Sequence, residues 1–174
     1  SFSDGNGGSQ GSGGTLLASA SITVINVAPM IANLAGDSLS YTEGSHAQLI
    51  DQGSAAVVSD IDSNDFSGGT LTVSIVAGGD SAEDLLGIRN QGSNTGQISV
   101  AGFGAAYEGT LIGSYSGGTG AAPLVITFNG NATPTAVSAL ISKVSVSSTM
   151  PSASASGRSP FEVSSAIAVV MVRV

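Results

Sequence analysis

The chain has 174 residues with 12 acidic and 4 basic side chains, a formal charge of −8 and a pI near 4.1, so it offers no clustered Lys and Arg to displace the counterions of a nucleic acid. With no cysteine and a single histidine it cannot build a disulfide framework, a thiolate zinc site, a cysteine nucleophile or a multi-histidine metal centre. Only 9 % of residues are charged, against about 25 % in ordinary domains, so solubility rests on Ser, Thr, Asn and Gly, and no run approaches the roughly 20 apolar residues of a membrane span.

The length fits one domain of ordinary size, or one domain with an appendage. Residues 1–14 hold Asp4-Gly5-Asn6-Gly7-Gly8 and Gly11-Ser12-Gly13-Gly14, almost without apolar side chains, which predicts a flexible linker. Residues 15–27 change character: Leu16 and Leu17 are followed by Ala20, Ile22 and Val24 alternating with Ser21 and Thr23, the pattern of a strand with one apolar face. Ala28-Pro29 ends it. Residues 1–28 are therefore expected to form a Gly-rich linker plus an extra β-strand, and residues 29–174 a β-sandwich domain. The chain begins at Ser1 without Met, the mark of a processed form or of a piece of a longer polypeptide.

Within 29–174, short apolar or alternating runs at 30–34, 38–41, 47–50, 55–58, 69–76, 96–100, 106–107, 110–115, 124–128, 142–147 and 161–174 are separated by Gly and Asn-Gly punctuation, the rhythm of an all-β sandwich. Two places read as one- or two-turn helices. Ser81 followed by Glu83 and Asp84 predicts a capped turn over 81–87, and Thr133-Pro134 predicts a capped helix over 135–141 with Val137, Leu140 and Ile141 facing the core.

Several segments carry a resemblance in order along residues 28–148. They are Gly36-Asp37-Ser38-Leu39-Ser40-Tyr41-Thr42-Glu43-Gly44, Ser59-Asp60-Ile61-Asp62-Ser63, Asp65-Phe66-Ser67-Gly68-Gly69-Thr70-Leu71-Thr72-Val73, Ile88-Arg89-Asn90-Gln91-Gly92 and Leu124-Val125-Ile126-Thr127-Phe128-Asn129. Together they resemble the cadherin-like, immunoglobulin-like tandem repeat of large bacterial secreted surface adhesins of the RTX type. The resemblance implies an immunoglobulin/cadherin-like β-sandwich, an extracellular or cell-surface setting, adjacent repeats as partners and bound calcium. It also makes residues 1–27 similar to the closing loop and last strand of a preceding repeat.

The C-terminus departs from that pattern, because residues 161–174 lack the acidic glycine loop that separates two strands in the family. As one long strand they would leave the sandwich short of an edge, open to residues 15–27 of a neighbour by head-to-tail strand donation. As two strands they would complete the domain. Both readings stand at this point.

Nine of the twelve acids lie between Asp37 and Asp84 with no Lys or Arg among them. Asp60-x-Asp62 followed by Asp65 supplies oxygen ligands from one tight loop, as Ca²⁺ requires, while the plain alternative is solvated, turn-forming carboxylates. The resemblance adds Glu43 as a junction ligand, and Asp4 and Asn6 from the adjoining loop complete the candidate set. No catalytic set emerges. His46 stands in a polar run without a nucleophile motif, and Lys143, within an expected strand, reads as an edge lysine. Tyr107 and Tyr115 are sparse material for a sugar platform. The expectation is a non-enzymatic structural or adhesive module, with a carbohydrate-binding or accessory module as the alternative.

Overall fold

Hydroxyl and apolar side chains alternate in runs such as residues 70–74, and where that run pairs with residues 124–127 the apolar set, Leu71, Val73, Leu124 and Ile126, turns inward. The computed structural model describes residues 19–23, 26–42, 45–149, 162–163 and 166–172. In chain order the elements are β1 (Met30–Ala32), β2 (Tyr41–Thr42), β3 (Gln48–Leu49), β4 (Val57–Ser59), β5 (Thr70–Ala77), β6 (Asp84–Ile88) and β7 (Ile98–Ala101). There follow β8 (Gly104–Tyr107), β9 (Thr110–Ser116), β10 (Leu124–Phe128), α1 (Pro134–Ile141), β11 (Val144–Ser148), β12 (Glu162–Val163) and β13 (Ala166–Val172). The fold is all-β in class, with one helix among the described residues.

The largest sheet has six strands in the order β13-β5-β10-β9-β8-β7, and smaller groupings join β3-β11-β6, β1-β4 and β12-β2. Every described pairing is antiparallel. Period-two burial is plainest in β5 and β10, where Leu71, Val73, Leu124, Ile126 and Phe128 are buried while Thr72 and Thr127 are not. These side chains meet Phe66 from the loop before β5, Ile98, Ile112, Val144 and the inner face of α1 in one core cluster. Phe66 and Phe128 pack with tilted rings whose centroids are 6.4 Å apart.

The helix expected over 135–141 forms as read. Thr133 caps it in extended conformation, its hydroxyl accepting the Ala136 N–H, and Pro134 occupies the first turn where no backbone donor is needed. Ala136, Val137, Leu140 and Ile141 are its buried stripe. Ser138 fastens the helix to β4: its hydroxyl donates to the Pro134 carbonyl at 2.7 Å and accepts the Val58 N–H at 2.8 Å.

The helix expected over 81–87 does not exist; Asp84–Ile88 is strand β6, paired with β11 from Val144↔Ile88 to Ser148↔Asp84. The acidic signal is spent on a single closed turn. Asp80 accepts the Ala82 N–H with its carboxylate and the Asp84 N–H with its carbonyl, and the Asp84 carboxylate accepts the Asp80 N–H at 2.7 Å. Beyond that turn, Leu85 to Ile88 gain a full ladder with β11, and Gly87 adds nothing to a helix. Lys143 also moves from its expected place: it sits in the turn between α1 and β11, with its N–H on Leu140 and its carbonyl accepting from Arg89.

The C-terminal region holds two strands on different partners. β12 pairs with β2 (Val163↔Tyr41), and β13 runs the length of β5, from Ile167↔Ile75 to Val172↔Thr70. The single long strand that would leave an open groove is thereby set aside, because the edge of β5 is taken by the chain's own β13.

Candidate functional site

The acidic loop at residues 60–65 leaves β4 and is anchored at its far end by Phe66, a fully buried ring whose N–H donates to the Ala132 carbonyl at 3.0 Å. Between those fixed points each aspartate serves a nearby backbone donor. Asp60 accepts the Asp62 N–H at 3.2 Å and Asp65 accepts the Ser67 N–H at 2.9 Å, both Asx-type turns. Asp62 reaches further and accepts the Val27 N–H at 2.8 Å. Thus the loop holds the chain where the N-terminal segment leaves the fold.

Among the described residues no three His, Cys, Asp or Glu side chains come together in a metal-holding group. Asp60, Asp62 and Asp65 share a loop but do not converge, since each is turned toward a different backbone N–H. Glu43, Asp4 and Asn6 lie outside the described residues. Asp51, elsewhere in the acidic half, accepts the Ala56 N–H at 3.0 Å while its second oxygen is buried without a hydrogen-bond partner.

The N-terminal segment is described in part. Its described residues, 19–23 and 26–28, pair with no strand, and Ala20 and Ile22 point into solvent, Ile22 with 86 % of its surface exposed. A strand needs an edge to pair with, and among the described residues of this segment no such pairing is made. Leu16, Leu17 and Val24 of the proposed donor face lie outside the described residues. The opposite requirement, an unfilled edge, is present: among the described residues β13 is paired on one side only.

Two other features bear on ligands. A cavity of about 220 Å³ lies between the end of β5 and the turn at residues 117–122, lined by Ile75, Gly79, Asp80, Asp84, Leu86 and Gly118. The two carboxylates there already hold the Asp80 turn together. The second feature is Phe103, 76 % exposed in the β7–β8 turn, whose ring meets Tyr115 edge-on at 6.4 Å. Phe103 drew no notice in sequence because an isolated Phe beside Gly reads as a core or turn residue. Tyr115 is itself held by its hydroxyl on the Gly102 carbonyl at 3.0 Å. Tyr107 is partly buried, and burial, followed by the hydrogen bond and charge of Glu108, raises its phenol above the usual value of 10.0. His46 is exposed.

No family model, curated protein or solved structure matches this chain. No helix among the described residues is long and apolar enough to cross a membrane.

Proposed function

We propose that this chain is an extracellular structural or adhesive module, an immunoglobulin/cadherin-like β-sandwich that joins end to end with units like itself. The observation that carries this reading is the N-terminal segment: strand-patterned in sequence, unpaired in its described part, and held at its exit by the Val27–Asp62 hydrogen bond. Since β13 occupies the edge of β5, a strand arriving from a neighbour adds to the free side of β13 and extends the six-stranded sheet. Backbone ladder bonds and burial of Leu16, Ala20, Ile22 and Val24, at about 25 cal/mol per Å² of apolar surface, supply the joint.

Calcium belongs to the same proposal. Asp62 of the 60–65 loop accepts the Val27 N–H at the exit of the N-terminal segment, and the resemblance puts Glu43, Asp4 and Asn6 in the same candidate ligand set. Neutralising those carboxylates would stiffen the junction.

Electron microscopy of the intact chain in calcium, beside Ile22→Lys, tests the joining. Regular end-to-end filaments from the intact chain and none from Ile22→Lys support it; isolated particles from both refute it. The exposed Phe103–Tyr115 pair favours a second reading, a carbohydrate-binding module, which requires polysaccharide affinity that Phe103→Ala removes.

A further inference from the structure

The six-stranded sheet has two edges, β13 and β7, and the chain treats them differently. β7 pairs with β8 from Ile98↔Tyr107 to Ala101↔Gly104. Residues two apart in a strand turn their backbone groups to the same side. Ile98 and Val100 turn theirs toward residues 90–92, which follow β6 and form no strand of their own. The Asn90 side-chain oxygen accepts the Val100 N–H at 3.3 Å, and the Gln91 side-chain oxygen accepts the Ile98 N–H at 3.3 Å. The Ile98 carbonyl in turn accepts the N–H groups of Gln91 at 2.8 Å and Gly92 at 3.3 Å. The groups that a further strand would bond on this side of Ile98 and the donor it would use at Val100 are therefore taken.

The loop that carries this cover is fixed independently of it. The Gln97 side-chain oxygen accepts the Asn94 N–H at 3.1 Å, the Asn94 carbonyl accepts the Gln97 N–H at 3.0 Å, and the Glu108 carboxylate accepts the Gly96 N–H at 2.8 Å. β13 is the contrast. It spans seven residues, Ala166–Val172, a stretch with no charge, glycine or proline, and among the described residues no segment covers its side away from β5. Long uncharged edges take up strands, whereas an edge covered by a loop does not.

We infer that Asn90 and Gln91 are an edge lock, which closes β7 against strand addition and leaves an incoming strand to β13. The use of β13 rests on the end-to-end reading proposed above, while the closure of β7 does not. Side-chain amides suit the task, because their oxygens accept as a neighbouring strand's carbonyls would without presenting a new edge beyond them. With both edges open, one unit could take up strands on two sides, and a single line of units would give way to branched or laterally stacked ones.

Asn90→Ala and Gln91→Ala, singly and together, in the full chain carrying Ile22→Lys, test the lock by two readouts. Hydrogen exchange in dilute solution should be roughly tenfold faster at Val100 in Asn90→Ala and at Ile98 in Gln91→Ala, the worth of one such bond. Sedimentation velocity over a concentration series should show the double variant gaining mass with concentration beyond its Ile22→Lys parent, as the opened β7 meets the edge of a second copy. Unchanged exchange at both amides would overturn the inference. So would faster exchange without any gain in mass, which would reduce the two side chains to fasteners of their loop. Should the double variant fail to fold by circular dichroism, Asn90→Ala alone carries both readouts. The gain is read where Ile22→Lys has removed strand donation, so a failure of the end-to-end joint leaves this result untouched.

Discussion

Gly118 shows how one side chain, or its absence, sets a junction between strands. Its φ of +81° belongs to the left-handed region, and its carbonyl accepts the Leu86 N–H at 2.8 Å, tying the β9–β10 turn to β6. A Cβ here would collide with the Leu86 carbonyl oxygen, while at Gly120, with φ +62°, it would meet open space. Gly118→Ala should therefore cost about 2–3 kcal/mol and Gly120→Ala about 1, measured by urea unfolding. Equal costs would mean that the close approach to β6 is immaterial.

Tyr107 gives a pH signature at the same scale. Its phenol is raised by burial and then by Glu108, so the folded chain holds that proton more tightly than the unfolded chain. The stability it contributes is complete below the unfolded value near 10 and is lost as pH rises through the higher folded value. Unfolding midpoints should fall more steeply with alkaline pH in the parent than in Tyr107→Phe, and tyrosinate absorbance should show one late-titrating phenol that Glu108→Gln advances. Side-chain roles such as these were partly open to sequence reading. The Asp60-x-Asp62 loop was visible as a carboxylate cluster, but its hydrogen bond to Val27 spans 35 positions and no local pattern announces it.

Among the elements, the agreement between sequence and structure follows how local each signal is. Residues 124–128 and the helix after Thr133 were legible because alternation, capping and proline act within a few residues. β6 was not, because its acidic start mimics a helix N-terminus and only the distant partner β11 decides the matter. In the N-terminal segment the alternation over 20–24 is equally local, and its described residues, 19–23 and 26–28, enter no strand pairing. Ser138 is a subtler case, a mid-helix serine whose hydroxyl reaches the Val58 N–H in β4, with Val58 only 3 % exposed. Ser138→Ala leaves that buried donor without a partner and should destabilise by about 1–3 kcal/mol, with faster amide exchange at Val58 as the specific readout. Unchanged exchange there would show that the helix does not hold β4 through this bond.

For the whole molecule, the distribution of charge matters more than its sum. The described acids of the first half lie in loops, in turns and at the start of β6, with Asp62 holding the Val27 N–H where the N-terminal segment ends. Calcium bound by the folded loop and not by the unfolded chain would raise stability by RT ln(1 + [Ca²⁺]/Kd), about 2.7 kcal/mol at a hundredfold excess over Kd. A thermal transition that rises with calcium in the parent, and rises less in Asp60→Asn or Asp62→Asn, is the expected outcome. A transition indifferent to calcium would return these carboxylates to the plain role of turn formers.

The central claim is that residues 15–27 are a strand awaiting an edge on another unit. Hydrogen exchange of the intact chain across a concentration series in calcium reads this directly, amide by amide. The account predicts that amides at residues 19–23 exchange as solvent-exposed groups in dilute solution, gain protection as concentration rises, and lose it again in Ile22→Lys. Fast exchange at these positions at every concentration, with the large sheet protected throughout, would contradict it.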